Sequence, residues 1–316
     1  MISIDDVRRA REVVAPHIYR TPLLSSRQLG ERIGAPAYLK AESLQRTGSF
    51  KPRGAVFAVA NMPPEERRRG IVTMSAGNAA QAIAYAGRAV GASVVVVMPQ
   101  AAPRTKVEAT RAQGAEVRFA ADMTMLMPIV RSVEAEGRRF LHPFDDRDMI
   151  AGHGTLAVEV LEDLPEADVI VVGVGGGGLI SGIAVAATAL RPGIRVVGVE
   201  PEGAPAMRLA LDAGRVVPVE RISTIADALA APFAGQNTLE IVRRLVDDVV
   251  LVPDEVIAEG VRFLASRARL VAEPGGAAAT GALLAGRVRV RPGEHVVAVV
   301  SGGNIDLSLL AELSSA

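Results

Sequence analysis

Asp168-Val169-Ile170-Val171-Val172-Gly173-Val174-Gly175-Gly176-Gly177-Gly178-Leu179-Ile180-Ser181-Gly182 is the stretch on which the fold turns. Its first half is an apolar, β-branched run and its second half a glycine run that opens an Ala-rich segment. A strand, a glycine turn and a helix in that order form one unit of an open α/β sheet, with free N–H groups at the helix start to receive an anion. Consecutive glycines let that backbone curl closely around a phosphate. The run also satisfies Gly-x-Gly-x-x-Gly, and Glu200 ends the next apolar run about 20 residues on, so a dinucleotide is a second reading of the same loop. Residues 169–190 carry no charge over about 22 residues, enough to cross a bilayer, but six glycines interrupt them and strand–loop–helix fits better.

Outward from that unit the pattern repeats. Runs at 71–74, 94–98, 116–119, 195–200, 248–252 and 295–300 predict strands beside 168–174, and stretches at 79–89, 104–112, 151–161 and 256–267 have helical spacing. Strands apolar throughout, with helices between, mark parallel sheets covered on both faces. The class is α/β, doubly wound. The polar stretch 142–148 separates the units ending at Phe140 from those after Ala167, which predicts two domains: residues 1–64 with 147–316, and residues 65–146. Asp145, Asp146 and Asp148 in that stretch look like a metal cluster, although a solvated crossover is the plainer account.

Length agrees, since 316 residues at about 150 per domain also suggest two. Lys and Arg total 35 and so do Asp and Glu, which argues against a nucleic-acid backbone or an anionic membrane as partner. Aromatics are 3% and Trp is absent, so stacked-base recognition is disfavoured too. Without cysteine there is no disulfide, thiolate nucleophile or Cys-based metal site. Asp5, Asp6, Arg8, Arg9 and Arg11 leave no room for a secretory apolar core. A cytoplasmic protein acting on a small molecule is the expectation.

Three more segments carry chemistry. In Ser49-Phe50-Lys51-Pro52-Arg53-Gly54, Pro52 suits the first turn of a helix. Lys51 then stands at the positive end of the helix dipole, which disfavours its ammonium form and readies it for Schiff-base chemistry. A lysine at a helix start is more commonly a plain surface residue. Ser75-Ala76-Gly77-Asn78 turns from run 71–74 into a helix and makes a site for a carboxylate, unless Asn78 merely caps that helix. Ser301-Gly302-Gly303-Asn304 sets a hydroxyl at the C-terminal end of run 295–300, where α/β proteins hold ligands; a simple turn is the alternative.

With Arg20-Thr21-Pro22-Leu23, Leu44-Gln45-Arg46-Thr47-Gly48, Val199-Glu200-Pro201 and Glu273-Pro274, these segments resemble the serine/threonine dehydratase and serine racemase family of pyridoxal-phosphate enzymes, of the tryptophan-synthase β-subunit fold type. The resemblance covers nearly the whole chain. It implies two doubly wound domains with mostly parallel sheets, an active site in the cleft between them, pyridoxal 5′-phosphate as cofactor and a homodimer. It also implies Lys51 as the Schiff-base lysine, Phe50 beside the cofactor ring, Asn78 on the 3′-hydroxyl, and Gly175, Gly176, Gly177 and Gly178 on the phosphate. Ser301 would meet the pyridine nitrogen, and Ser75, Ala76, Gly77 and Asn78 the substrate carboxylate. A hydroxyl does not keep that nitrogen protonated, so the ring is a weaker electron sink and loss of a β-substituent competes better. The implied reaction is β-elimination from a 3-hydroxy amino acid such as L-threonine or L-serine. Lys51 would take the α-proton, the hydroxyl would leave with a proton supplied through the cofactor phosphate, and a 2-oxo acid and ammonia would result. A dehydratase for a bulkier substrate such as phenylserine, a serine racemase-type isomerase, a non-catalytic binding relative and a nicotinamide oxidoreductase are the competing readings.

Departures from the family pattern sharpen these expectations. Racemases of the family carry a serine as second base just before the Gly-Asn pair; Ala76 stands there, so racemisation should be minor. Ala79 replaces a frequent histidine. Members that bind a divalent cation use an Asp six residues after the Glu of Val-Glu-Pro; that position is Ala206, so Glu200 lacks its partner and no metal is expected. Little sequence follows Asn304, and no feedback domain is expected. Met123-Thr124-Met125-Leu126-Met127-Pro128 is apolar where relatives are more polar, through core packing or through a substrate pocket widened for a bulky side chain.

Overall fold

A computed structural model describes residues 2–315. Among them ten strands form two sheets. The first sheet joins β1 (Leu23–Ser25) and β2 (Ala37–Ala41) to β7 (Ala167–Gly173), β8 (Arg195–Pro201), β9 (Asp248–Val252) and β10 (His295–Val300), in the order β1-β2-β10-β7-β8-β9. The second holds β3 (Ile71–Met74), β4 (Val94–Pro99), β5 (Glu116–Ala120) and β6 (Arg139–Phe140), in the order β5-β4-β3-β6. Every pairing is parallel except β1 with β2. The doubly wound α/β reading holds.

The unbroken apolar runs have a direct cause. Ile170 and Val172 of β7 join one buried cluster with Ile150, Leu156 and Ile183, while Val169 and Val171 join another with Ala277 and Ala278. Both faces of the strand are therefore covered, and successive side chains alternate between two cores. β4 repeats this, with Val94 and Val96 on one side and Val95 and Val97 on the other. Each fully buried Val contributes about 2 kcal/mol relative to exposure.

The stretch 142–148 differs from its expected solvated form. Asp146 is half-buried and caps the Arg147–Asp163 helix by accepting from the N–H groups of Asp148 (2.9 Å) and Met149 (3.0 Å). Asp145 does the same for the Gln236–Leu245 helix, accepting from Gln236 (2.9 Å) and Thr238 (3.1 Å). Capping satisfies donors that a helix cannot pair internally. These carboxylates thus fasten two helices near the glycine loop, and among the described residues no group of three His, Asp or Glu side chains is placed to hold a metal. No helix among the described residues is long and apolar enough to cross a membrane; the uncharged stretch is β7, the glycine loop and the Gly178–Leu190 helix.

Candidate active site

The strand ends and the loops that follow them enclose a cavity of about 780 Å³, within the range of small-molecule sites. Phe50, Lys51, Ser75, Ala76, Gly77, Asn78, Gly175, Gly176, Gly177, Gly178 and Ser301 all line it. Residues far apart in sequence meet here because the segment before Lys51 is bonded to the end of β10. Phe50 N–H donates to Ser301 O (3.0 Å), and Ser49 bridges to Gly302.

Lys51 immediately precedes the Pro52–Ala60 helix, as its sequence suggests. Its Nζ makes one long hydrogen bond, to Pro143 O at 3.3 Å, and lies 5.0 Å from the centre of the Phe50 ring. Burial lowers its pKa to about 8, with the Glu273 carboxylate pulling the other way. The low pKa expected from helix position is thus present, but desolvation is its main cause. Phe50 is held in turn by the edge of His153, at 4.8 Å between ring centres.

Two helices begin at the cavity wall without a side-chain cap. The Asn78–Val90 helix starts after Gly77, and the Gly178–Leu190 helix after Gly177. Gly177 has φ +93°, a left-handed conformation that a side chain would strain. At Gly176 a Cβ would run into the Phe144 ring, and the loop is pinned there because Gly176 O accepts from the Thr238 hydroxyl at 2.7 Å. The glycine run is therefore demanded by its protein neighbours as well as by any anion.

Asn78 is no cap. It is the first helical residue, and its Nδ2 donates to Glu273 Oε1 at 2.6 Å while its Oδ1 accepts from Asn304 Nδ2 at 2.8 Å. Ser301 is buried, and its hydroxyl reaches only the Gly275 carbonyl, at 3.5 Å, which leaves it available to a ligand. Glu273, which its sequence shows only as the residue before a helix-opening proline, is a further member of the site. It lies in the cavity wall, 4% exposed, and burial raises its carboxyl to about 7.

Glu200 is fully buried outside the cavity. Burial raises its pKa to about 8, and both oxygens accept N–H bonds, from Met207 (2.8 Å) and Arg208 (2.9 Å), at the start of the Ala206–Ala213 helix. The methionine segment splits. Met123 is 66% exposed and lines the cavity mouth, whereas Leu126 is buried in the core of the four-stranded layer.

Two mostly parallel sheets meeting over this cleft, with the Lys51 amine held inside it, mark the class of fold-type II pyridoxal-phosphate enzymes. The comparison with known families agrees: the model of the pyridoxal-phosphate dependent enzyme family matches residues 14–302, and the chain belongs to that family. It is similar to the L-threonine ammonia-lyase of Thermotoga maritima, 42% identical over 98% of this chain and 77% of that protein. It is 40% identical to the catabolic L-threonine dehydratase of Escherichia coli K12, over 99% of this chain and 96% of that one. The structure of maize serine racemase superposes with a TM-score of 0.94 at 35% identity, covering 98% of this chain and 96% of that chain. Pyridoxal phosphate is thus the cofactor, and the site fits it. An amine with one weak partner, an uncapped helix start behind a left-handed glycine and a spare hydroxyl answer to an aldehyde, a phosphate and a ring nitrogen.

Proposed function

We propose that the protein is a pyridoxal-phosphate-dependent ammonia-lyase that converts a 3-hydroxy amino acid such as L-threonine or L-serine to a 2-oxo acid and ammonia. The observation that carries this reading is that the Lys51 amine shares its cavity with a carboxylate-sized turn, Ser75 to Asn78, that has no hydroxyl at residue 76 to act as a second base. Ala76 offers only a methyl group there. Proton removal from one face is what elimination requires, and delivery to the other face is what racemisation would add.

Each residue has a part in this reading. Gly175 to Gly178 would hold the phosphate, Asn78 Nδ2 the ring hydroxyl and Ser301 Oγ the ring nitrogen. The bound cofactor supplies an aldehyde that condenses with amines and a ring that withdraws electrons from the substrate α-carbon. Lys51, a free base above pH 8, receives the α-proton at Nζ. The N–H groups after Gly77 fix the substrate carboxylate, and the Pro143 carbonyl and the Phe50 ring hold Nζ in place meanwhile. Two domains divided at 64/65 and 146/147, a homodimer and a cytoplasmic setting complete the proposal.

Incubating the loaded protein with L-threonine, L-serine and 3-phenylserine tests it. The expected result is 2-oxobutyrate and ammonia from threonine, with turnover and the cofactor's visible band both lost in Lys51→Ala. D-serine accumulating from L-serine faster than pyruvate would overturn it, as would 3-phenylserine outpacing threonine.

A further inference from the structure

Lys106 and Asp227 form an ion pair across the cleft, and the reaction described above gives it no role. Lys106 stands on the Arg104–Ala112 helix of the four-stranded layer. Asp227 opens the short Asp227–Leu229 turn, whose Leu229 packs against Gly173 and Gly175 beside the six-stranded sheet. Both side chains line the cavity, Lys106 being 28% and Asp227 58% exposed. Both also act on the Glu273 carboxyl, Asp227 raising its pKa and Lys106 lowering it, and Lys51 acts on that same group. The pair and the catalytic amine thus line one cavity and act on the same buried carboxyl.

The charged lining of the cavity consists of Lys51, Lys106, Asp122, Asp227 and Glu273. Lys51 is committed to the chemistry. Asp122 is engaged in its own turn, accepting from the Thr124 N–H at 2.8 Å and its hydroxyl at 2.5 Å. Lys106 is then the one cation left in the described lining to meet a second acidic group on a substrate, and Asp227 already holds it. Exposed ion pairs add little to stability. Selectivity, by contrast, is governed by which charges a site leaves unpaired.

We propose that the Asp227–Lys106 pair sets the charge preference of the cleft, denying a cation to substrates with an acidic side chain and so restricting turnover to neutral 3-hydroxy amino acids. The inference rests on the function proposed above and adds its substrate boundary. A carboxylate entering the cleft must displace Asp227 from Lys106 and sit beside it, whereas a methyl group meets neither demand.

The test uses the cofactor-loaded protein and the variants Asp227→Asn, Lys106→Gln and the double substitution. Two quantities are measured: the ratio of kcat/KM for 3-hydroxyaspartate to that for threonine, and the dissociation constant of succinate by calorimetry. Asp227→Asn is expected to raise the ratio about tenfold and to tighten succinate binding by a similar factor, and adding Lys106→Gln should abolish both gains. An unchanged ratio and affinity in Asp227→Asn, or gains that survive in the double variant, would overturn it. A wild-type protein inert toward threonine refutes the function proposed above, while the succinate series still decides the role of the pair.

Discussion

Lys51 and Glu273 set one another's protonation. Burial brings the lysine down to about 8 and the carboxyl up to about 7, so near neutral pH much of the first is still protonated while half or more of the second is ionised. The ionised carboxylate raises the lysine pKa, so removing its charge must lower it. In cofactor-free protein the pH dependence of Lys51 labelling by an amine reagent should therefore have its midpoint near 8. Glu273→Gln should move that midpoint down while still accepting from Asn78 Nδ2; a midpoint that stays or rises contradicts the coupling. Sequence reasoning found Lys51, Asn78 and Ser301 because each has a local signature, a Pro at helix start or a strand end. Glu273 also precedes a helix-opening proline, Pro274, but that signature does not place its carboxyl in the cavity. Its burial and its bond to Asn78 depend on packing between segments 195 residues apart.

The Pro52–Ala60 helix is anchored by a charge its sequence does not explain. Arg53 is fully buried and donates to Glu42 (2.8 Å from Nε and from Nη2) and to Glu159 (2.7 Å from Nη1), while Lys40 Nζ donates to Glu159 at 2.6 Å. Burial alone would raise the Glu159 pKa, but Arg53 and Lys40 outweigh it and hold the carboxyl below its usual range. Removing one member of such a network leaves buried carboxylates uncompensated. Arg53→Met should cost about 3–5 kcal/mol in denaturant unfolding. Adding Glu42→Gln should recover part of that loss, and a fully additive double variant would refute the network. The same network explains why β2 carries no strand signature. β2 contains Lys40, which breaks the apolar run by which strands are recognised, and its buried amine is met by Glu159 from a distant helix and by the Thr21 carbonyl. β1 and β6, three and two residues long, are too short to show any period. Strands buried on both faces, such as β7 and β10, were legible because their composition records both cores.

The residues proposed to hold the cofactor are spread over the start of one helix, the glycine loop and the end of β10, so occupancy should stabilise the assembled fold rather than one part of it. At a hundredfold excess over its dissociation constant, pyridoxal phosphate should raise the melting temperature by about 5 °C. Lys51→Ala should lose most of that rise, and a ligand-independent melting point would remove the basis for the site. The strand order has a consequence for biosynthesis. β10 lies between β2 and β7, yet it leaves the ribosome after both. The sheet built from β3 to β6 takes no later strand as a partner, so its ladder can form while translation continues. The larger sheet must wait with two open edges until residues 295–300 emerge. Nascent chains stalled before that point present exposed β-templates, which makes this interval the one in which a chaperone matters most.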